Sequence, residues 1–291
     1  LYEELDRKGI RFRPHVWLSS DWFSPVGVPG IAIPFYLAHP RLKKLEYRMM
    51  YEVEGGTRTW CMQLLRHETG HAIDTAYRLN RRASWRRLFG KASKPYPKYY
   101  NPKPFSRNYV LHLDWWYAQS HPTEDFAETF AVWLKPGSNW RKRYESWPAL
   151  RKLLYVDALM KEIAEKPPVV KNRVRYRPLS QCRQTLRDYY RRKQARYGSD
   201  LPAFFDRDLV RLFSEQTDRR MPTAAAFLRR HRTALRDAVA RWTGQHAYTV
   251  DQLLKEMIIR ARELKLRVDR PVEQVKLETA LLLATQLTHF V

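Results

Sequence analysis

The chemically informative part of this sequence is the string HETGH at residues 67–71. His67 and His71 are four residues apart, so on an α-helix both imidazoles project from one face and can converge on one metal ion. Glu68 points to the flank, where its carboxylate can take a proton from metal-bound water without occupying a coordination position. The pattern predicts a site for one Zn²⁺ per chain, with two histidine ligands and a glutamate base.

A catalytic zinc ion needs a third protein ligand and an open fourth position. The segment YAQSHPTEDFAETFA (117–131) offers Glu124 and Glu128, one helical turn apart, so one carboxylate can bind the metal while the other orients a ligand histidine. Acids in a first helical turn also complement the helix dipole, which would explain Glu124 without any metal. Glu128 lies among apolar residues, where an unpaired charge is costly to bury, and this favours a functional role.

Three other residues near these motifs are weaker candidates. His112 and His121 compete for the metal, and His121 could instead cap the second site helix or hydrogen-bond a substrate. Asp74, three residues after His71, could hold a ligand or a nearby arginine, but could equally be a solvated helix residue. A single histidine or acid on a helix is most often structural, so all three rank below the HETGH residues.

Two long helices are expected to position these side chains. Apolar residues fall at helical spacing over 57–80, for about six turns. The second helix begins at Pro122 and ends before Pro136 and Gly137. A third helix is predicted to follow residues 146–148, with an apolar side that closes the first domain. The Pro- and Gly-interrupted stretch 26–37 predicts an edge strand or extended loop, and the Pro/Tyr-rich stretch 94–104 predicts a loop beside the site.

The strings HETGHAID and HPTEDFAETFAVWL closely resemble the two motifs of the bacterial family known as putative zinc-binding metallopeptidases. More distantly they are similar to the gluzincins, including the catalytic domain of anthrax lethal factor. The resemblance also includes VPGIAIPFYLAHPRLKKLE (28–46) and covers about residues 20–160. It implies a zincin-like peptidase in which Glu124 is the third metal ligand and Glu128 orients a ligand histidine without binding the metal itself.

The same resemblance implies roles for residues outside the two motifs. Tyr117, seven residues before Glu124, would stabilise an oxyanion, although it could equally be a packing aromatic beside Trp115 and Trp116. Gluzincins bind an extended peptide along an edge strand, which by analogy makes residues 28–37, with Ile31 and Ile33, the substrate-binding candidates. The loop 94–104 would then be a lid. The implied reaction is hydrolysis of a peptide bond in a protein or peptide substrate.

The predicted fold is an α+β zincin-like metallopeptidase domain, mainly helical with a small sheet, over residues 1–165, followed by an all-α basic domain. Residues 166–178 combine prolines with five Lys/Arg and predict a linker. The second domain (179–291) has helical patterns near 179–196, 202–214, 223–243, 250–267 and 271–289. The carboxy-terminal half of the chain is the more basic one, since residues 166–291 hold 27 Lys/Arg against 13 Asp/Glu, compared with 27 against 17 in residues 1–165.

The formal net charge of +24 leaves a second class of function open. Basic runs at 191–193 and 229–232, with Tyr189 and Tyr190 beside the first, could bind nucleic acid or another polyanion, or could be a solvated surface. A third alternative is a pseudoenzyme that binds partners around a structural metal, which the presence of Glu68 disfavours. Two cysteines exclude a disulfide framework, and no apolar run is long enough for a transmembrane helix, so a cytoplasmic location is expected.

Overall fold

Helices dominate the computed structural model, which describes residues 1–97, 100–198, 206–215, 218 and 220–288. The chain forms two compact units: the first comprises Leu1–Leu45 and Glu54–Arg183, and the second comprises Glu46–Val53 and Gln184–Val291. The described strands and α-helices are, in chain order, α1 Tyr2–Arg7, β1 His15–Ser19, β2 Gly30–Pro34, α2 Pro40–Met50, α3 Arg58–Tyr77, α4 Ala83–Phe89, α5 Pro122–Leu134, α6 Trp140–Arg143, α7 Leu150–Ile163, α8 Leu186–Gly198, α9 Asp206–Leu212, α10 Ala224–Thr243, α11 Ala247–Glu263 and α12 Val272–Thr288.

The first unit is built around α3 and α5, the two predicted site helices, whose bounds agree with the sequence signals. Thr57 caps α3 by accepting a hydrogen bond from Trp60 N at 3.2 Å, and the helix ends where Arg78 adopts a left-handed conformation. Pro122 is the first residue of α5, as predicted. Both helices pack into one core with α4 and α7, so each site side chain is carried on a rigid, buried element.

α3 and α5 approach each other most closely at Gly70. A Cβ atom at this position would lie 2.7 Å from the Cα atom of Ala127 on α5, which is too close for any side chain. The glycine between the two histidines therefore sets the distance between the helices. Ile73 on α3 and Phe130 on α5, both fully buried, pack in the core beyond this contact.

The sheet of the first unit has two parallel strands in which His15 pairs with Gly30 and Ser19 pairs with Pro34. β1 was not predicted from the sequence. The extended element predicted over 26–37 is present as β2, followed by a 3₁₀ turn at Phe35–Ala38. On the side of β2 away from β1, Ala32 N donates to Phe23 O at 2.8 Å, so part of that edge is already occupied.

The predicted linker 166–178 is not a free connector but is bound to the first unit. The amide groups of Val169 and Val170 both donate to Ala76 O at the end of α3, at 2.9 Å. Further along, Trp17 Nε1 on β1 donates to Tyr176 O at 2.9 Å. The prolines and charges of this segment predict a linker, but composition cannot show that its carbonyl groups meet donors on β1.

The second unit is helical, as predicted, with two isolated β-bridges in its described part. Helices α10, α11 and α12 form its core with α9. Thr223 caps α10, and Gly244 ends it in the left-handed conformation at a φ of 70°. Residues 202–205 of the predicted helix 202–214 lie outside the described residues, as do residues 289–291. None of the helices in the described part of the chain combines the length and apolar character needed to cross a lipid bilayer.

The close contact at Gly70 predicts that even a methyl side chain at this position destabilises the fold. Gly70→Ala should lower the free energy of unfolding by about 1–3 kcal/mol, because the new methyl group meets the backbone of Ala127 and only a shift of α5 can relieve the clash. Urea unfolding followed by circular dichroism measures this change.

Gly198→Ala is the matched control, since this helical glycine has only an ordinary 3.4 Å contact from its Cβ position to the Tyr248 ring. Its free energy of unfolding should change by no more than about 0.5 kcal/mol. Equal stability of the two variants would contradict the packing argument for Gly70.

Candidate metal centre

Three side chains from α3 and α5 bring their donor atoms to one point. His67 Nε2 lies 3.0 Å from Glu124 Oε2, and His71 Nε2 lies 3.1 Å from the same oxygen. The two Nε2 atoms are themselves 3.1 Å apart. His67 and Glu124 are buried, while His71 is half-buried, so the cluster faces an opening on the His71 side.

Glu128 fixes the orientation and the protonation of His67. Its Oε1 atom lies 2.7 Å from His67 Nδ1, and a carboxylate can only accept, so Nδ1 carries the hydrogen and donates it. In the neutral imidazole Nε2 then has a free lone pair, which points at His71 and Glu124. The other oxygen, Oε2, accepts from Leu113 N at 2.8 Å, so both acceptor atoms of this fully buried carboxylate are used. An acid that holds a ligand histidine through its second nitrogen is typical of zinc sites.

The donor set fits a zinc ion. Two ligand atoms that each lie about 2.0–2.1 Å from one tetrahedral zinc are about 3.3 Å apart, which is close to the three separations observed. Without a cation, the lone pairs of His67 and Glu124 would face each other in a buried site. Burial alone lowers the pKa of His67, but its hydrogen bonds to Glu124 and Glu128 outweigh that effect and raise the pKa well above its ordinary value. The site therefore calls for positive charge, whether from a metal or from protons.

The contacts that raise the pKa of His67 lower the pKa of Glu124. Burial raises the pKa of its carboxyl group, but the charges and hydrogen bonds of His71 and His67 outweigh burial and hold the pKa well below its usual range. Glu124 is thus an ionised carboxylate at neutral pH. An anionic oxygen and two imidazole nitrogens form one of the ligand sets that zinc prefers in catalytic sites.

Glu68 is buried beside the cluster and has an unused oxygen. Among the described residues, its Oε2 atom has no hydrogen-bond partner although it is shielded from solvent. Burial raises the pKa of this carboxyl group against the opposing effect of His67 and His71. A carboxyl with a raised pKa and a free oxygen next to a metal site can exchange a proton, which is the function that a general base requires.

Among the described residues, Tyr117 and Tyr96 both contact the site, and the sequence identified only Tyr117. The Tyr117 ring centroid lies 5.7 Å from that of His67, and burial together with the Glu124 charge raises the pKa of Tyr117, so its hydroxyl keeps its proton. Tyr96 was missed. Its hydroxyl donates to Glu124 Oε1 at 2.5 Å, from the loop that the sequence predicts beside the site. The only sequence signal for Tyr96 was its position in the tyrosine-rich stretch 94–104, of which residues 98–99 lie outside the described residues.

The competing histidines are used for structural hydrogen bonds. His112 Nε2 lies 3.0 Å from Gln63 O and donates to it, and burial lowers the pKa of this imidazole. His121 caps α5, because its Nδ1 accepts from Thr123 N at 3.2 Å. His121 is therefore a helix cap, which is one of the roles that the sequence allowed. Neither His112 nor His121 belongs to the three-donor cluster.

The remaining site candidates are not among the three clustered donors, and the predicted role of Asp74 beside a ligand stays a prediction. Asp74 Oδ2 accepts from Asn80 Nδ2 at 2.6 Å, and burial raises the pKa of Asp74 to about 6. The Ile31 side chain is fully buried in the core and is not available to a substrate, while binding of a peptide along this strand stays a prediction. Ile33 is half-buried, and its role in substrate binding stays a prediction.

The basic runs of the second unit are only partly available for a polyanion. Lys193 Nζ pairs with the buried Glu46 at 2.6 Å, and the Tyr190 ring is buried, so neither can contact a nucleic acid from the surface. In the second run, Arg232 pairs with Asp251, whose side chain is buried. Sequence runs do not separate exposed arginines from those that pair with buried acids, and the binding of a polyanion stays a prediction.

Residues 35–139 match the model of a family described as "Putative zinc-binding metallo-peptidase". This confirms the resemblance to that family which the two motifs predict. The matched stretch contains the three clustered donors together with Glu68, Tyr96, Tyr117 and Glu128. No curated protein and no solved structure matches the chain.

The contacts of Glu128 predict its effect on metal affinity. Glu128→Gln should weaken zinc binding about 10- to 100-fold, because an amide must turn its NH₂ group toward either His67 Nδ1–H or Leu113 N–H, both of which are donors. Competition with a chromophoric chelator measures the zinc dissociation constant.

Glu145→Gln serves as the control, since Glu145 is an exposed glutamate of the same unit. Its zinc dissociation constant should equal that of the wild type. If Glu128→Gln also bound zinc with wild-type affinity, the carboxylate would not be supporting a metal ligand.

Proposed function

We propose that the first unit is a zinc-dependent metallopeptidase that hydrolyses peptide bonds. The observation that carries this proposal is the convergence of His67 Nε2, His71 Nε2 and Glu124 Oε2 within 3.1 Å of one another, beside the unpaired oxygen of Glu68. The family model that matches residues 35–139 supports the general class of reaction. In this proposal His67, His71 and Glu124 hold one zinc ion, and Glu128 holds His67.

The bound zinc would supply Lewis-acid chemistry, by lowering the pKa of a water molecule and polarising the carbonyl group of the substrate. Glu68 would accept the proton of the attacking water on its unpaired oxygen and later return it to the leaving amine. Its buried position suits the first step, since burial raises the pKa of this carboxyl group and so strengthens its affinity for a proton. The carboxylate of Glu124 stays ionised and is unsuited to this role.

Tyr117 would contribute a hydrogen bond to the oxyanion of the substrate. Its half-buried side chain lies against His67, and its hydroxyl stays protonated at neutral pH because burial and Glu124 raise the pKa. A hydroxyl group that is fixed before the substrate binds can stabilise developing negative charge without reorganisation. The alternative is a packing aromatic, which the variant described below distinguishes.

A structural metal in a pseudoenzyme is the competing explanation of the same donors. A closed structural zinc site has four protein ligands, whereas the cluster contains three in the described part of the chain. The buried, unpaired Glu68 oxygen also lowers the stability of the fold, and a purely structural site would have no use for it. Both observations favour a catalytic centre.

Glu68→Gln is the sharpest test of the proposed function. The variant should retain about one zinc ion per chain while its rate of peptide hydrolysis falls by about 10²–10⁴, because glutamine keeps the shape of the side chain but cannot accept the proton. Zinc content by elemental analysis and digestion of a broad peptide library measure the two properties on the same preparations.

Glu145→Gln should retain both zinc and activity, since this glutamate is exposed and lies outside the site. Loss of zinc together with activity in Glu68→Gln would contradict the role of Glu68 as a base. A wild-type chain that binds zinc and cleaves no peptide would contradict the peptidase proposal itself.

Tyr117→Phe separates the oxyanion role from a packing role. We expect kcat to fall by about 10²–10³ with little change in KM, because the hydroxyl acts in the transition state and the ring is retained. The zinc content should stay at the wild-type level. A kcat within about twofold of the wild type would instead identify Tyr117 as a packing residue.

A further inference from the structure

The loop before the second motif carries a tyrosine that touches the proposed metal ligand directly. Tyr96 Oη donates to Glu124 Oε1 at 2.5 Å and lies 2.7 Å from Thr123 Oγ1. The outer face of the ring is exposed, while the hydroxyl is turned inward to the carboxylate. The side chain therefore covers the first turn of α5, on which Glu124 lies.

His121 holds Tyr96 in this position. The two rings are stacked, with centroids 3.9 Å apart and an angle of 14° between their planes. Because Nδ1 of His121 accepts from Thr123 N, its Nε2 carries the hydrogen and donates to Lys94 O at 2.9 Å. One imidazole thus caps α5, holds the loop at Lys94 and stacks on Tyr96, so the position of Tyr96 is coupled to that of the ligand.

The two oxygens of Glu124 consequently have different partners. Oε2 faces both histidine nitrogens, and Oε1 is occupied by the Tyr96 hydroxyl. A carboxylate with two free oxygens can bind a metal through both and so fill a coordination position that a catalytic site must leave open. A hydrogen bond to the outer oxygen favours coordination through the inner oxygen alone.

We propose that Tyr96 is a positioning residue whose hydroxyl restricts Glu124 to one-oxygen coordination and thereby keeps the water position of the metal centre open. This inference rests on the proposed function, since it takes Glu124 as a zinc ligand. It assigns different tasks to the two tyrosines, because Tyr117 would act on the substrate and Tyr96 on the ligand. The motifs HETGH and EDFAETFA contain neither tyrosine.

The test compares the cobalt-substituted full-length wild type with Tyr96→Phe, which removes the hydroxyl but keeps the ring that stacks on His121. Visible absorption of bound Co²⁺ is strong in four-coordinate sites and weaker when the coordination number rises, so it reports the binding mode without any substrate. Tyr96→Phe should bind one Co²⁺ with a clearly weaker visible band. On a peptide that the wild type cleaves, its kcat should fall about tenfold with KM nearly unchanged.

Tyr100→Phe is the matched control, because it removes a hydroxyl that donates to Trp115 O and not to a ligand. Its cobalt spectrum should equal that of the wild type. A Tyr96→Phe spectrum identical to the wild type would overturn the positioning role while leaving the peptidase proposal intact. A wild-type chain that binds neither Zn²⁺ nor Co²⁺ would overturn both proposals, whereas cobalt binding without any peptide cleavage would overturn only the peptidase proposal.

Discussion

The contact between Gly70 and Ala127 is the constraint on which the candidate site depends. His67 and His71 flank Gly70 on α3, and Glu124 and Glu128 flank Ala127 on α5, so the closest approach of the two helices lies in the middle of the donor cluster. A larger residue at either point would separate the carboxylates from the imidazoles by the width of a methyl group or more. The hydrophobic core around both helices supports this contact, and the polar site is possible because the core holds the helices together.

Burying four ionisable groups between two helices is unfavourable unless their charges are balanced. The two imidazoles and two carboxylates satisfy one another in part: Glu128 accepts hydrogen bonds from His67 Nδ1 and Leu113 N, and Glu124 faces both histidines. What remains is a set of lone pairs directed at one point. This arrangement costs free energy in the absence of a cation, and a cation bound at that point would relieve the cost, so the proposed metal would stabilise the site as well as supply chemistry.

The sequence predicted those parts of the structure that depend on local signals. The extent of α3 followed from the helical spacing of its apolar residues, and the ends of α5 followed from an initial proline and a terminal Pro-Gly pair. The cost of burying an unpaired acid indicated a functional role for Glu128, and the family resemblance implied that it supports a ligand. Prediction failed where partners are distant in sequence. β1 forms only because β2 pairs with it, and residues 46–53 join the second unit although helix α2 begins in the first. Lys193 looked like part of a surface patch because its partner, Glu46, lies 147 residues away.

Tyr96 shows the same limit within the site itself. A tyrosine in a proline-rich loop carries no periodic signal, and its partner His121 was interpreted on its own as a cap or a substrate contact. The structure joins the two, since one ring of His121 caps α5 through Nδ1, holds Lys94 through Nε2 and supports Tyr96 by stacking. None of the direct contacts of His121 is with the three clustered donors, yet His121 is linked to Glu124 through Tyr96. Residues that appear structural in a sequence can thus determine the geometry of a metal site one contact further away.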